Sequence, residues 1–214
     1  CGSRGRGGVR PGVRAARALS GSVHNPYQPL KYGIGYMCVG PYVSYVSGKN
    51  TIAYDVWNDM LKRCYSKLNQ QTNPTYSGCT VHPHWHNFQN FAAWYCSHPD
   101  YNKGYQLDKD LLVKGNTVYS PDTCCLLPRH LNILLQITDR GSDLPMGVRL
   151  TYNNKYIVQV NGRKEGRCVG TYSTIEEATL AYKLAKEKHI RDVTNAIGAD
   201  LYFETYNALM SYEL

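Results

Sequence analysis

The sequence has no run of about 18 apolar residues, the length that a membrane-spanning helix needs. Its first residues also lack the unbroken apolar core of a secretory signal. We therefore expect an intracellular protein that neither enters nor crosses a membrane. Acidic residues are missing as well from the start of the chain, where Asp55 is the first. The positive charge is segregated towards that end.

Lysine and arginine number 24 against 16 acidic residues, a formal net charge of +8 on 214 residues. An excess of this size suits a partner with dense negative charge such as nucleic acid, although an incidentally basic protein has it too. Residues 1–26 are rich in Gly, Arg and Ser and contain almost no large apolar residue. We expect a flexible basic arm there, in which Arg14 and Arg17 contact DNA phosphates.

An arginine-rich stretch without acidic residues is also typical of a mitochondrial transit peptide. The first methionine is Met37, so we expect either a processed fragment or a chain translated in frame with upstream sequence. In both cases residues 1–26 form an arm and not a domain.

Eight cysteines raise the question of disulfides. Cys124 and Cys125 are adjacent in an apolar strand, so their side chains face opposite ways and cannot both meet partners in one core. This favours a reduced, intracellular protein. The alternative use of these thiols is a structural zinc site, because "GCTVH" supplies a Cys-x-x-His pair. Its ligands would be Cys64, Cys79, His82 and Cys124.

Two segments show apolar residues at helical spacing. The first, residues 51–68, predicts an amphipathic helix whose apolar face consists of Ile52, Val56, Trp57, Met60, Leu61 and Cys64. The second, "HNFQNFAAWYCSH", carries an aromatic stripe that favours a core helix over a base-stacking surface. Between them "CTVHPHW" predicts a short strand on which His82 and His86 share a face, either as metal or phosphate ligands or as residues without a function.

The stretch "YQLDKDLLV" predicts a strand with two different faces, because side chains alternate along a strand. The two faces are Leu107, Lys109 and Leu111 on one side, and Asp108 and Asp110 on the other. The following "KGN" predicts a turn and "TCCLL" a returning strand. An exposed strand face beside Lys109 and Lys114 would show the same pattern without any function.

The second strand leads into a helix that begins at Pro128, since a proline is tolerated in the first helical turn. His130 and Asn132 then lie in or near this first turn. Two strands and a helix that gather carboxylate and amide oxygens around one point suit a hard divalent cation. We therefore expect Mg²⁺ or Mn²⁺ there, where a metal ion can clamp a scissile phosphate and stabilise the leaving oxygen.

These residues resemble the HNH endonuclease family, most closely its phage-type and intron-encoded homing members. The matching stretches are "WNDMLKRCY", "VHPHWHNFQNFAAW", "LDKDLL", "YSPDTC" and "LNILL", within residues 54–136. The resemblance implies two strands and a helix that hold one metal ion. Its expected ligands are Asp108 on the first strand and Asn132 on the helix, with Asp110 beside them.

At two catalytic positions the sequence differs from the family that it resembles. Lys109 stands where the family has its general-base histidine, and Thr123 where it has the central Asn of "PEN". A lysine with a pKa near 10.4 is a poor base at neutral pH unless it is desolvated or crowded by cations. Either His130 or a histidine from "HPHWH" replaces the base, or the nuclease is inactive. The candidate catalytic residues are Asp108, Lys109, His130 and Asn132.

A polar link, "QITDRGSDLP", precedes a second unit. Three short strands are predicted first, at about 147–151, 155–160 and 167–172. A helix follows, which Ser173 or Thr174 caps and which has Lys186 and Lys188 in its last turn. The final "LYFETYNALMSYEL" predicts a further helix without a defined position.

This second unit resembles the Apetala-type, or ethylene-response-factor, DNA-binding domain. The stretches "GVR", "KYIVQV", "VGTY" and "EEATLAY" carry the resemblance, in the family's order and spacing. It implies a sheet that enters the major groove of double-stranded DNA, where Arg149 matches the family's DNA-contacting arginine. The other basic residues of the sheet and its second turn are Lys155, Arg163, Lys164 and Arg167.

Together these patterns predict an α+β protein. Its expected parts are an arm at 1–26, an HNH-like ββα-metal unit with flanking helices at 27–137, and a three-stranded sheet packed on one helix at 146–214. The leading hypothesis is a phage or intron-encoded homing endonuclease that nicks or cuts DNA in an infected host's cytoplasm or an organelle, with no evident small-molecule substrate. The alternatives are a non-cutting DNA-binding regulator or genome-associated phage protein, and an RNA-bound structural protein.

Overall fold

The computed structural model describes residues 27–136, 143–160 and 167–214, and mixes helices with strands, in agreement with the predicted α+β class. The predictions for residues 1–26, Arg163 and Lys164 lie outside these ranges. The strands are β1 (Tyr45–Val46), β2 (Lys49–Asn50), β3 (Thr80–Val81), β4 (Gln106–Asp108), β5 (Val118–Tyr119), β6 (Cys125–Leu127), β7 (Val148–Leu150), β8 (Tyr156–Val160) and β9 (Arg167–Tyr172). The helices are α1 (Ile52–Tyr65), α2 (Lys67–Thr72), α3 (Phe88–Ser97), α4 (Arg129–Leu135), α5 (Ile175–Ile197) and α6 (Phe203–Met210).

Helix α1 forms where predicted because its ends suit a helix. The Thr51 side chain accepts a hydrogen bond from a first-turn amide, Asp55 lies in the first turn, and basic Lys62 and Arg63 lie in the last. The helix ends before Ser66, earlier than predicted, because the Ser66 side chain caps helix α2.

The first hydrophobic core lies between α1 and α3. Most of the predicted apolar face of α1 is buried, namely Trp57, Met60, Leu61 and Cys64, whereas Ile52 is 53% exposed. Helix α3 adds its aromatic stripe with Phe88, Phe91 and Tyr95. The prediction that this stripe belongs to the core is confirmed.

Strand β4 is shorter than predicted. The Asp108 carboxylate accepts hydrogen bonds from the amides of Asp110 and Leu111, which turns the chain away after residue 108. Strand β5 then pairs in parallel with β3, and β6 returns antiparallel to β4. Helix α4 follows Pro128, as predicted. We call residues 106–135, which contain β4, β6 and α4, the finger.

The C-terminal strands lie within about one residue of their predicted positions. They form an antiparallel sheet in the order β7, β8, β9, with a bulge at Val158/Gln159. Helix α5 covers one face of this sheet. Thr174 and Glu177 close the start of the helix as a capping box, so Thr174 is the predicted N-cap.

Helix α5 is longer than predicted. It ends only at Gly198, which adopts a φ of +57° that other residues rarely accept. Lys186 and Lys188 therefore lie inside the helix, and the prediction that they occupy its last turn is wrong. No stop signal intervenes between them and Gly198.

Helix α5 belongs to two hydrophobic clusters. Its first half packs Tyr182 on the sheet, and its second half packs Ile190 against a cluster that includes Leu127 of the finger. Helix α6, predicted without a position, joins the finger cluster through Leu209. One apolar cluster therefore crosses the predicted domain boundary, and the division into domains stays a prediction. Within the described ranges, no helix has both the length and the apolar character needed to span a bilayer.

Candidate functional site

The candidate site lies on one face of strand β4. Gln106 and Asp108 are two residues apart in the strand, so their side chains point to the same side, roughly 7 Å apart. Helix α4 lies against this side, where Asn132 Nδ2 donates a hydrogen bond of 3.0 Å to Gln106 Oε1. Both predicted metal ligands therefore adjoin Gln106, Asp108 along the strand and Asn132 through its hydrogen bond.

The Asp108 carboxylate is held in place by the backbone. Its Oδ1 atom accepts hydrogen bonds from the amides of Asp110 at 2.9 Å and Leu111 at 2.8 Å. Burial raises the pKa of Asp108, and these two hydrogen bonds oppose the shift. Both bonds use the same oxygen, so the second carboxylate oxygen is left for another ligand.

The C-terminal segment lies beside this face. Lys114 Nζ donates a hydrogen bond of 3.0 Å to the backbone oxygen of Glu213. The adjacent Tyr212 packs on the apolar cluster of the finger. Burial raises the pKa of Tyr212, and the charges of Asp108 and Asp110 raise it further. The Tyr212 ring therefore lies within electrostatic range of the candidate site.

Lys109 points away from this face into the first core. Its ammonium donates hydrogen bonds to the Asp110 carboxylate and, at 2.9 Å, to the Asn116 carbonyl. It also lies 5.8 Å from the centre of the Tyr119 ring. These contacts hold the loop between β4 and β5. Lys109 follows the strand and is engaged away from Asp108, so we leave it out of the proposed site.

The two predicted site residues of helix α4 point in different directions. Successive helical residues turn by about 100°, so His130 and Asn132 lie about 200° apart. Asn132 contacts Gln106, and His130 is exposed. Asp110 is exposed too, with its carboxylate on the Lys109 ammonium. Asn132 therefore contacts the strand face that carries Asp108, through Gln106, whereas His130 points away from it.

The strand predicted from "CTVHPHW" ends early. Strand β3 covers only Thr80–Val81, because Pro83 has no N–H for the ladder and starts a short 3₁₀ helix. His82 caps this helix through Nδ1, and His86 Nε2 lies 2.9 Å from the Val81 oxygen. The prediction that His82 and His86 share a strand face is therefore wrong.

The four predicted zinc ligands have different environments. Cys64, Cys79 and Cys124 are buried in the first core, whereas His82 is exposed. Burial raises the pKa of Cys64 and of Cys124 to about 12, so these thiols are protonated at neutral pH. In the described part of the chain, no three His, Cys, Asp or Glu side chains are arranged to share one ion. A structural zinc ion stays a prediction.

The donor atoms on the β4 face suit a hard cation. One free oxygen of Asp108 and the amide oxygen of Asn132 are the kind of ligand that Mg²⁺ takes in proteins, usually together with several waters. Mn²⁺ accepts the same oxygens. Asp110 lies outside this donor set, because its carboxylate is turned to Lys109. One Mg²⁺ or Mn²⁺ ion is therefore compatible with a carboxylate and an amide here.

The sheet offers a second candidate surface, on the face that α5 leaves open. Arg149 is exposed there, and its Nη2 donates a hydrogen bond of 2.9 Å to Gln159 Oε1 across β7 and β8. Lys155 is exposed at the start of β8. Arg167, however, pairs with Val160, whose buried side chain faces α5, so Arg167 lies on the helix side. Of the predicted DNA contacts that the structure describes, Arg149 lies on the open side and Lys155 lies in the turn before β8.

Comparison with family models, with curated proteins and with solved structures finds no match to this chain. The HNH and Apetala-type resemblances therefore rest on the quoted residues alone. The geometry of the β4 face and of the open sheet face is the independent basis for a functional assignment.

The sequence reasoning missed three residues of these surfaces. Gln106 lies two residues before Asp108 and so on the same strand face. The alternation of side chains along the strand could therefore have identified it from the sequence. Gln159 orients Arg149, but this contact depends on the register between two strands. Tyr212 approaches the finger only through the packing of the C-terminal segment, and no local pattern marks it.

Proposed function

We propose that this protein is a DNA-binding endonuclease of the HNH homing type, which nicks or cuts duplex DNA with one divalent metal ion. The observation that carries the proposal is the common face of β4 and α4, where Asp108 lies beside the bonded pair of Gln106 and Asn132. The open sheet face with Arg149 supports DNA as the substrate.

Asp108 and Asn132 are the residues that would hold the metal ion. The ion would supply Lewis-acid stabilisation of phosphate oxygens. The amides of Asp110 and Leu111 hold the Asp108 carboxylate before substrate arrives, so little ordering is needed on binding. Gln106 fixes the amide nitrogen of Asn132, which leaves the amide oxygen of Asn132 for the ion.

The open face of the sheet is the proposed DNA-reading surface. Gln159 holds the Arg149 guanidinium across two strands, and an arginine ordered in this way can donate two hydrogen bonds to one guanine in the major groove. Lys155 lies at the edge of this face and suits a phosphate contact. The net charge of +8 favours association with DNA through counterion release.

A plasmid-nicking assay tests the proposal. Supercoiled plasmid is incubated with the protein and Mg²⁺ or Mn²⁺, and its relaxed and linear forms are measured on a gel. Asp108→Ala should reduce nicking by about 100-fold or more, because it removes the charged ligand. The matched control, Asp122→Ala, removes an exposed acid of the same finger and should retain activity. Equal nicking by Asp108→Ala and the wild type would refute the role of Asp108.

The environment of Lys109 favours a second candidate function, DNA binding without cleavage. Its ammonium is engaged with Asp110 and Asn116, away from Asp108, so no general base stands in the family's usual position. Such a protein would bind duplex DNA through Arg149 and leave plasmid intact with every metal ion. Gel-shift and nicking assays on one preparation separate the two functions, and competition with double-stranded RNA tests for an RNA partner.

A further inference from the structure

The open face of the three-stranded sheet carries an aliphatic side chain, Ile157, on its middle strand. The buried Val158 of β8 packs in the cluster with α5, so the preceding residue, Ile157, faces the open side. Its side chain is partly exposed, although the solvent face of an antiparallel sheet usually carries polar residues. The surface proposed to read DNA therefore includes an apolar contact at its centre.

The strand register fixes the neighbours of Ile157. Arg149 of β7 lies directly opposite Ile157 on one side, and Thr171 of β9 lies directly opposite on the other. Directly opposite residues share a sheet face, and their Cβ atoms lie about 5 Å apart. We call Arg149, Ile157 and Thr171 the open-face row. The row presents a cation, an aliphatic side chain and a hydroxyl-bearing side chain in that order.

The Arg149 guanidinium is drawn along β8, away from Ile157. Its Nη2 atom donates the 2.9 Å hydrogen bond to Gln159 Oε1, and Gln159 lies two residues beyond Ile157 on β8. Two residues of a strand span about 7 Å, so the guanidinium is directed to a point separate from Ile157. Ile157 can therefore contact a group that lies beside the group bound by Arg149.

The major groove of DNA contains one kind of apolar group that suits such a contact. The groove edges of guanine, adenine and cytosine present hydrogen-bond donors and acceptors, whereas thymine adds its C5-methyl group. Successive bases are stacked about 3.4 Å apart, close to the spacing of about 5 Å between opposite residues of the open-face row. When Arg149 binds a guanine, Ile157 therefore reaches the neighbouring base.

We propose that Ile157 is a specificity-determining residue, which packs on the methyl group of a thymine next to the guanine that Arg149 binds. The inference rests on the DNA-binding function proposed above and names the base step that the open face reads. Burial of one methyl-sized apolar group strengthens binding about fourfold. A cytosine at the same position is disfavoured, because its amino donor would face an aliphatic side chain that cannot accept a hydrogen bond.

The competing explanation of Ile157 is its preference for strands. Isoleucine is β-branched and stabilises a strand whether or not a ligand contacts it. This explanation predicts that DNA binding does not depend on the thymine methyl group. The two explanations therefore differ in a property that can be measured on the DNA.

Removal of the methyl group from the DNA tests the proposal on the unaltered protein. Duplexes that bind the wild type are selected from a random pool, and each thymine of a selected site is replaced in turn by deoxyuridine, which lacks only the methyl group. Replacement of a thymine beside a guanine should weaken binding about fourfold in a gel-shift assay. Selected sites without such a thymine would overturn the proposal.

Ile157→Ala tests whether Ile157 makes this contact. The variant should bind the thymine and deoxyuridine duplexes equally, because the aliphatic side chain is gone. The matched control is Leu150→Ala, which removes an exposed aliphatic side chain of the same hairpin that alternation places on the α5 side. The control should retain the difference of about fourfold. If Ile157→Ala fails to fold, Ile157→Gln replaces it and should favour adenine over thymine at that position.

The outcomes distinguish this inference from the proposed function. If the wild type binds duplex DNA but treats thymine and deoxyuridine alike, the role of Ile157 is overturned and the DNA-binding function stands. A difference that persists in Ile157→Ala would assign the methyl contact to another residue and overturn the role of Ile157 as well. If the wild type binds no duplex DNA, the proposed function fails and the inference fails with it.

Discussion

The finger and the three-stranded sheet use their polar side chains in opposite ways. In the finger, Asp108, Lys109 and Asn116 bond to the backbone of the loop that follows β4. In the sheet, Arg149 on the open face bonds only to the Gln159 side chain. The comparison shows that polar side chains of the finger hold its backbone, whereas in the described structure the Arg149 guanidinium is held by another side chain and not by the backbone.

The two regions are nevertheless joined by the C-terminal helices. Helix α5 packs on both, and α6 covers the finger. Asp100 secures the start of α6, because its carboxylate accepts hydrogen bonds from the Tyr202 amide and the Lys103 ammonium. Substitutions in the finger should therefore change stability strongly, and substitutions on the open face should not.

The largest effect is expected for Lys109→Ala. The substitution leaves a cavity in the first core and removes the hydrogen bond to the Asn116 carbonyl. The free energy of unfolding should fall by about 2 to 4 kcal/mol, measured by urea denaturation. Lys67→Ala, at an exposed position of α2, is the control and should change it little. A loss below about 0.5 kcal/mol for Lys109→Ala would contradict its structural role.

Asp100→Ala should have the next largest effect. Asp100 is almost fully buried, and its loss leaves the Tyr202 amide without its acceptor, while the Lys103 ammonium keeps only the Asp200 carbonyl. We expect a loss of about 2 to 3 kcal/mol in the free energy of unfolding. Hydrogen exchange should become faster in α6 but not in the three-stranded sheet. Equal acceleration in both regions would show that they unfold as one unit.

Asp108→Asn should stabilise the protein near neutral pH. Burial raises the pKa of Asp108 above its ordinary value of 3.8, so its contribution to stability is full below pH 3.8 and is lost as pH rises through the folded-state pKa. Asparagine retains the oxygen that accepts the two amides and avoids the buried charge. At about pH 7 the gain should be about 0.5 to 2 kcal/mol.

Urea denaturation at about pH 7 and about pH 4.5 checks the sign of this effect. The gain from Asp108→Asn should shrink as pH falls towards the raised pKa of the wild-type carboxyl. A destabilised Asp108→Asn protein at pH 7 would mean that the amide hydrogen bonds to the charged carboxylate outweigh its burial.

The smallest effect on stability is expected for Arg149→Ala. Arg149 is exposed and bonds only to a surface side chain, so the free energy of unfolding should change by less than about 0.5 kcal/mol. DNA affinity should fall by about 1 to 3 kcal/mol at a site where Arg149 meets a guanine, measured by gel shift against a site with that base pair changed. Equal losses on both sites would restrict Arg149 to a phosphate contact.

Much of the secondary structure could be predicted because its signals are local. Thr51 and Thr174 cap their helices, and the three C-terminal strands follow their alternating pattern. The predicted metal ligands Asp108 and Asn132 stay a prediction, although Asn132 bonds to Gln106, which shares the strand face of Asp108. The predicted roles of Lys109 and His130 depended on side-chain directions that a linear pattern does not define.

The sequence by itself determined the α+β class, the amphipathic faces and the helix starts, because periodicity and capping act over a few neighbouring residues. Only the tertiary structure decided that Asp108 turns the chain after β4 and that Lys109 bonds across the loop to Asn116. It also decided that α5 serves both the sheet and the finger. The bonds of Asp108 and Lys109 span only two to seven residues, but they depend on side-chain directions that burial selects. The placement of α5 arises from contacts between residues far apart in the chain, which form only with the whole fold.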